Sequence, residues 1–349
     1  MKNRIALYLM IGLLLVAVMV TACSKPASAP QPGSTEGPKT KLYFGSTTST
    51  SSAYVFGVAV TRVANKYAPG VSVTLVESGG SVDNSRKIME GVFDAGTADG
   101  WNIAYELMRG IDTFQGKPWP NIRIFFMRGI TVIRLFVKAD SKYKTWADLA
   151  GKRVSSGIPG SSADARIRQI NELLGTKADI VGLDYNAATE QLQTGRLDAV
   201  YKSSPDHLID AGMLAAHQLT PLRVIGWTKE EAAKLNAKYP QFMLRETPTG
   251  YIKELPSLPP MYENYSFAVV TTSARLPQEI GYRIMKAEYE HWDEVRAPYP
   301  DSAENPIKDF LAKMTPDVAV PFAAGTVQYA KEKGITIPDF MIPPDYKAK

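Results

Sequence analysis

Residues 42–52, Leu-Tyr-Phe-Gly-Ser-Thr-Thr-Ser-Thr-Ser-Ser, are the clearest indication of the fold class of this chain. Their apolar and aromatic start predicts a β-strand, and the glycine and hydroxyl residues after it predict a turn into a helix. The same strand–turn–helix order recurs at residues 71–90, where a β-branched run leads through Ser-Gly-Gly-Ser into a second helical pattern. Because strand–turn–helix units alternate along the chain, the sequence predicts an α/β fold.

A short motif, Gly-x-x-Asp-Ala, occurs at residues 91–95 and again at residues 195–199. Chance could produce a match of this length, but the order of predicted strands and helices around each copy also repeats. We therefore interpret the body as two similar lobes. Asp94 and Asp198 are predicted to cap or brace the two repeated turns rather than to contact a ligand.

Two apolar strands, at residues 131–137 and 265–271, are predicted to carry the chain across a hinge between the lobes. The first lobe then comprises residues 41–137 together with residues 265–349, and the second lobe comprises residues 138–264. A body of about 300 residues is the size expected for two ordinary domains.

The amino-terminal segment has the pattern of a bacterial lipoprotein signal. Two basic residues precede an apolar run at residues 5–20, and Val-Thr-Ala-Cys ends at Cys23, the only cysteine. A run of about 16 residues is shorter than the roughly 20 needed to cross a bilayer, which disfavours the alternative of a transmembrane anchor. We expect a cleaved signal peptide at residues 1–22, lipidation of Cys23 and a Pro/Ser/Gly-rich tether over residues 23–40. The protein would then lie outside the cytoplasm, anchored to a bacterial membrane, in the periplasm if the cell is Gram-negative.

Composition excludes several function classes. The net charge of +5 is scattered rather than gathered into a stripe, which argues against a nucleic-acid partner. The three histidines have no spacing typical of metal ligands, no Gly-x-Ser-x-Gly elbow is present, and the single cysteine belongs to the lipid signal. The sequence therefore predicts no cofactor, no metal site and no catalytic residues.

Ligands of open α/β sheets bind beyond the carboxyl ends of the strands, where loops and helix starts converge. This rule predicts a cleft between the lobes. Its first-lobe wall is predicted to be Ser46, Thr47, Tyr54, Gly79, Gly80, Ser81, Asp99 and Trp101, and its second-lobe wall Ser161, Ser162, Tyr201 and Ser203.

Each of these residues has two interpretations: it contacts the ligand, or it serves only the fold, as a helix cap or a packed side chain. Helix amino termini and hydroxyls suit a carboxylate, although serine and threonine are also ordinary helix caps. Asp99 is predicted to bind an amino group or to cap a helix, and Trp101 to cover an apolar part of the solute or simply to pack. Arg128 is the best-placed arginine to bind a carboxylate, with a surface position as the alternative. Tyr201 and Ser203 either face the cleft or cap a strand end.

Several segments together resemble one known family, the TAXI-type solute receptors of TRAP transporters. The most specific are Val-Glu-Ser-Gly-Gly-Ser-Val-Asp-Asn at residues 76–84 and Leu-Ala-Gly-Lys-Arg-Val-Ser-Ser-Gly-x-Pro-Gly-Ser at residues 149–161. The two Gly-x-x-Asp-Ala motifs, Lys-Ala-Asp-Ser at residues 138–141 and Lys-Tyr-Pro at residues 238–240 are weaker matches.

The resemblance implies a two-lobed type II periplasmic-binding-protein fold, monomeric, that closes on a solute and delivers it to a TRAP permease. Receptors of this kind with assigned ligands bind glutamate and related carboxylates. This chain departs from the family pattern at two segments. Residues 46–52 replace a glycine-rich turn, and residues 99–102 replace a Gln-Ser-Asp pocket segment.

The function predicted from the sequence is capture of a small carboxylate or amino acid, glutamate-like or a 2-oxo or dicarboxylic acid. Delivery to a TRAP permease is the main interpretation. A binding protein of an ABC importer and a ligand-presenting subunit of a sensor kinase are the alternatives on the same fold. An enzyme ranks below all three.

Overall fold

The computed structural model describes residues 39–49, 51–298 and 303–348. The predicted signal peptide, Cys23 and nearly all of the predicted tether lie outside these residues. The first strand begins at Thr40, the last residue assigned to the tether.

Ten strands form one sheet among the described residues. They are β1 Thr40–Gly45, β2 Val71–Val76, β3 Ala95–Ala98, β4 Ile122–Lys138, β5 Arg153–Ser155, β6 Asp179–Val181, β7 Ala199–Pro205, β8 Leu222–Ile225, β9 Met243–Thr247 and β10 Met261–Ser273. The helices are α1 Ser52–Tyr67, α2 Ser81–Glu90, α3 Trp101–Arg109, α4 Ser162–Leu174, α5 Tyr185–Gln193, α6 Ala211–Leu219, α7 Lys229–Lys238, α8 Gln278–Glu290, α9 Trp292–Arg296, α10 Pro306–Leu311 and α11 Ala324–Glu332. Short 3-10 turns lie at Asp112–Phe114, Ala147–Leu149 and Asp339–Met341.

The strand order β2-β1-β3-β10-β4-β7-β5-β6 contains the same unit twice. In each unit a central strand, β1 or β5, runs parallel to both neighbours. The two long strands, β4 and β10, lie between the units and pair antiparallel to each other. The predicted hinge segments, residues 131–137 and 265–271, fall within these long strands. This topology confirms the predicted two-lobed α/β fold of the type II periplasmic-binding-protein class.

The repeated Gly-x-x-Asp-Ala turns make the same contacts in both units. The Asp94 carboxylate accepts a hydrogen bond from the backbone N–H of Tyr43 at 2.8 Å, and the N–H of Asp94 donates to the Tyr43 carbonyl. Asp198 does the same with Arg153, at 2.9 Å in each direction. The bracing role predicted for both aspartates is therefore confirmed.

Buried apolar side chains separate into clusters along the same division. The largest cluster draws its buried members from residues 42–127 and 267–341, and two smaller ones draw theirs from residues 133–261. The lobe boundaries given above stay a proposal, which this separation supports, and we keep the names first and second lobe. No helix within the described ranges is long and apolar enough to cross a membrane.

Candidate functional site

A small cavity lies where the carboxyl ends of strands from both lobes meet, and we call it the central cavity. Its volume is about 20 Å³, room for about one water molecule. It is lined from the first lobe by Thr47, Ser51, Ala53, Gly80, Ser81, Thr97 and Asp99, and from the second lobe by Ile158, Ser161, Ser162, Tyr185 and Ser203.

Two larger grooves flank the central cavity and share lining residues with it. The polar groove, of about 470 Å³, includes Ser161 and runs between α2 and α4 past Asp112 and Tyr239. The apolar groove, of about 660 Å³, includes Ser51 and runs over α5 and α6. The seam between the lobes is thus lined continuously by residues of both.

The Ser-Gly-Gly-Ser turn before α2 contacts the second lobe directly. The backbone N–H groups of Val82 and Asp83 donate to the Gly160 carbonyl at 2.9 and 3.3 Å. Gly79 lies so close to the Pro159 carbonyl that a Cβ there would be 3.0 Å from its oxygen. The amides at the start of α2, predicted to bind a solute anion, are therefore occupied by a protein carbonyl in this conformation.

The serine hydroxyls around the cavity also serve as ordinary caps. Ser51 Oγ accepts from the Ala53 N–H at 3.3 Å at the start of α1, and Ser161 Oγ accepts from the Asp164 N–H at 3.2 Å at the start of α4. Capping uses only a lone pair of the hydroxyl. Because the O–H proton is not used in capping, a capping serine can still donate a hydrogen bond to a solute.

Asp99 faces the second lobe across the cavity. It lines the cavity opposite Ser203 of the second lobe, and its Oδ1 lies 3.7 Å from Arg128 Nη2. Burial raises the pKa of the Asp99 carboxyl, and the positive charge of Arg128 partly offsets that rise. The carboxylate thus already faces one cation, Arg128, and its role in binding an amino group stays a prediction.

Arg128 lies behind the cavity wall rather than in it. Its side chain is buried, with the guanidinium carbon 5.1 Å from the centre of the Phe56 ring. One nitrogen of the guanidinium faces Asp99, and Arg128 is not among the residues that line the cavity, so its binding of a solute carboxylate stays a prediction.

Four other predicted residues point elsewhere. Trp101 is fully buried in the first-lobe core, edge-on to Tyr105 at 5.9 Å, because it begins the core-facing side of α3. Tyr201 is fully buried in the second-lobe core. Ser46 is also fully buried, with its carbonyl bound by Asn84, and half-buried Tyr54 is absent from the cavity lining.

Five residues that line the cavity were not predicted: Ser51, Ala53, Thr97, Ile158 and Tyr185. Tyr185 begins α5 after β6, as Ser81 begins α2 after β2, so the repeat of the two lobes could have identified it. Burial raises the pKa of its hydroxyl. Across residues 39–49, 51–298 and 303–348, no group of three or more His, Asp or Glu side chains is arranged to hold a metal ion.

Residues 44–334 match the model of the NMT1-like family. Among solved structures, a putative L-cystine ABC transporter protein from Listeria monocytogenes aligns at 13% identity over 74% of this chain and 93% of its own, with a TM-score of 0.48. The alkanesulfonate-binding protein from Xanthomonas axonopodis pv. citri, bound to MOPS, aligns at 15% identity over 89% and 99%, with a TM-score of 0.44. The GluR0 ligand-binding core from Nostoc punctiforme, in complex with L-glutamate, aligns at 14% identity over 74% and 99%, also at 0.44.

Proposed function

The chain belongs to the NMT1-like family, and we propose that it is a solute-binding receptor that captures a small solute between its two lobes. The observation that carries this proposal is the central cavity, whose walls come from strand ends and helix starts of both lobes. A solute held there contacts both walls at once, so its binding energy favours the closed arrangement of the lobes.

The solute class that the cavity favours is a small carboxylate or amino acid. The capped starts of α1 and α4 both reach the cavity through Ser51 and Ser161. The positive end of each helix dipole and the hydroxyl donors stabilise a negative group. We propose that Thr47, Gly80, Ser81, Ser161, Ser162 and Ser203 contact the solute.

Delivery to a membrane importer is the second part of the proposal. The sequence motifs point to a TRAP permease. The transporter protein named above belongs to an ABC system, so the comparisons fit the ABC alternative better than the TRAP interpretation. Presentation of the solute to a sensor kinase remains the third possibility on this fold.

The proposed location follows from the amino-terminal pattern. A lipid on Cys23 would hold the body at an extracytoplasmic membrane surface through the tether of residues 23–40. Binding without catalysis fits the composition of the central cavity, which contains no histidine or cysteine.

Titration calorimetry on the full chain tests the binding site. Ser203→Ala should weaken the tightest-binding carboxylate or amino acid about tenfold, because a hydroxyl that lines the cavity and can bond the solute is lost. Ser257→Ala, at an exposed position of the second lobe, is the matched control and should leave the affinity unchanged. Equal affinities for Ser203→Ala and wild type, with Ser161→Ala also unaffected, would reject this site.

Uptake into vesicles that carry the candidate permease distinguishes the two importers. ABC transport should stop when vanadate blocks ATP hydrolysis and should persist without a sodium gradient. TRAP transport should show the reverse pattern. The receptor proposal itself fails if no carboxylate or amino acid binds and none is taken up.

A further inference from the structure

The second lobe carries a groove of about 420 Å³ that lies apart from the seam, and we call it the edge groove. It follows β8 and residues 226–228 directly after that strand. Lys144 and Thr145 line it from one side, and we call them the basic wall. Residues 258–261, Leu-Pro-Pro-Met, line it from the other side and are the apolar wall.

The outer edge of β8 has no partner strand among the described residues. β8 pairs with β4 alone, in the antiparallel direction. On either side of β8, the Pro221 carbonyl accepts a bond from the residue after β4, and Trp227 exchanges two backbone bonds with Tyr262 of β10. Because bonded residues alternate along an antiparallel strand, Val224 and Gly226 direct their N–H and C=O groups the other way, into the edge groove.

The two walls of the edge groove lie on opposite faces of the sheet, because the side chains of a strand alternate between its faces. Trp227 packs against Trp146, next to the basic wall, with ring centres 6.0 Å apart. Val224 packs in the same buried cluster as Met261 of the apolar wall. A Cβ on Gly226 would lie 2.6 Å from the Met261 side chain. A strand added to this edge would therefore have the basic wall on one face and the apolar wall on the other.

Two N–H groups on residues that line the edge groove are enclosed without an acceptor in the described part of the chain. They are Nε of Arg223 and Nε1 of Trp227, and Trp227 is only 4% exposed. Nη2 of Arg223 already donates to the carbonyls of Ser141 and Tyr143, which fixes the guanidinium beside the basic wall. Buried donors normally have partners, so these two indicate a bound group that supplies acceptors.

The basic side of the edge groove also has positive charge to spare. Exposed Lys144 makes no ion pair with any described residue, and neither does Arg223. The two acids beside them serve the backbone. Glu231 accepts from the Thr228 N–H at 2.9 Å to cap α7, and Asp148 accepts from the Lys144 N–H at 2.8 Å. This side therefore favours a negatively charged partner.

We propose that the edge groove binds an extended segment of a partner protein, in which acidic and apolar side chains alternate. The backbone of this segment pairs with the free edge of β8 as an added strand. Its acidic side chains meet Lys144 and Arg223, and its apolar side chains meet Leu258 and Met261. Carboxylate and carbonyl oxygens of the segment are the acceptors that the enclosed N–H groups lack.

This attachment is independent of solute capture. The central cavity, the polar groove and the apolar groove have walls from both lobes, so movement of the lobes changes them. The edge groove is lined only by residues of the second lobe. A partner held there stays bound whether the lobes are open or closed.

Fluorescence anisotropy with the full chain tests the inference. The probe is a labelled peptide of four Glu-Val repeats with blocked ends, the Glu-Val peptide, and it should bind saturably. A Lys-Val peptide of the same length should bind at least tenfold more weakly, because its charges meet Lys144 and Arg223. A Glu-Val peptide with proline at its fourth position should lose at least tenfold, because proline removes a backbone donor of the added strand.

Val224→Pro tests the strand edge itself. The Val224 N–H points away from β4, and this is the position at which an edge strand tolerates proline. The variant should bind the Glu-Val peptide at least tenfold more weakly. The matched control is Val224→Ala, which also loses side-chain packing but keeps the N–H, and its affinity should stay within twofold of wild type.

Lys144→Glu tests the basic wall at an exposed position, and it serves if Val224→Pro does not fold. It should weaken the Glu-Val peptide about tenfold through charge reversal. Lys142→Glu is the matched control, because Lys142 is also exposed but does not line the edge groove.

Three results would overturn the inference. They are failure of the Glu-Val peptide to bind, equal affinity of its proline-containing form, and unchanged affinity in Lys144→Glu together with a folded Val224→Pro. Two other occupants would overturn it as well. A second copy of this chain would appear in light scattering as a dimer that Val224→Pro dissociates, and a small carboxylate would appear as displacement of the peptide by free glutamate.

Discussion

Glu288 shows how a single residue sets a pH limit on this fold. Both of its carboxyl oxygens are buried on α8 and have no hydrogen-bond partner among the described residues. Burial therefore raises the pKa of Glu288 well above its ordinary value. A carboxyl group in such a place is stable only while it carries its proton.

We expect stability to fall as the pH rises above about 4.5 toward the raised pKa of Glu288. In that window the native state holds a proton that the unfolded state has released, so each pH unit costs about 1.4 kcal/mol. Urea unfolding at pH 5 and pH 7 measures the loss. Glu288→Gln should reduce the loss, whereas the exposed control Glu290→Gln should not. The same loss in wild type and Glu288→Gln would show that other groups cause it.

At the scale of elements, the turn between β5 and α4 controls the shape of the central cavity. Gly157 has φ +76, in the left-handed region, and a Cβ there would be 2.7 Å from the Tyr185 hydroxyl. Tyr185 is a cavity-lining residue at the start of α5. The absence of a side chain at Gly157 is what allows these two second-lobe elements to approach.

Gly157→Ala should therefore weaken both stability and solute binding. Gly175, which ends α4 with φ +64 and has nothing within 4 Å of a Cβ, provides the control. Gly175→Ala carries only the backbone strain, about 1–2 kcal/mol, and should bind solute normally. In Gly157→Ala the new methyl group must also displace Tyr185. This should lower the free energy of unfolding by about a further 1–3 kcal/mol, the usual cost of overpacking. Urea unfolding and calorimetry measure the two effects, and equal costs at both glycines would contradict the close contact.

For the whole molecule, the small volume of the central cavity implies movement. About 20 Å³ cannot admit a solute of several non-hydrogen atoms, and the Gly160 carbonyl links the second lobe to the start of α2. The long strands β4 and β10 connect the two units, because β10 pairs with β3 of one and β4 pairs with β7 of the other, so they are the segments about which the lobes would separate.

Distances between spin labels on the two lobes measure this opening. In a Cys23→Ser background, labels at Glu90→Cys on α2 and Glu172→Cys on α4 report across the polar groove, and both positions are exposed. We expect a broad or longer distance distribution without solute and a shorter, narrower one at saturating solute. A distribution that solute leaves unchanged would argue against closure as the binding mechanism.

Many of the residues that line the central cavity could be predicted from the order of strands and turns along the chain. The rule that ligands bind beyond strand ends needs only the sequence of strands and turns, and it predicted Thr47, Gly80, Ser81, Asp99 and the serines of the second lobe, which line the central cavity. Trp101 and Tyr201 come at the same kind of position but are fully buried in the apolar clusters, because strand and helix ends carry core residues as well as cavity residues. The direction of such a side chain depends on its neighbours in space.

The alternation of strands and helices, the repeated unit and the braced turns at Asp94 and Asp198 could all be predicted from the sequence. These depend on local periodicity and on hydrogen bonds within one turn, which short stretches of sequence encode. The contact of Arg128 with Asp99 and the contact of the Gly160 carbonyl with the start of α2 needed the tertiary structure. Those pairs join residues far apart in the chain, and their positions depend on how every intervening element packs.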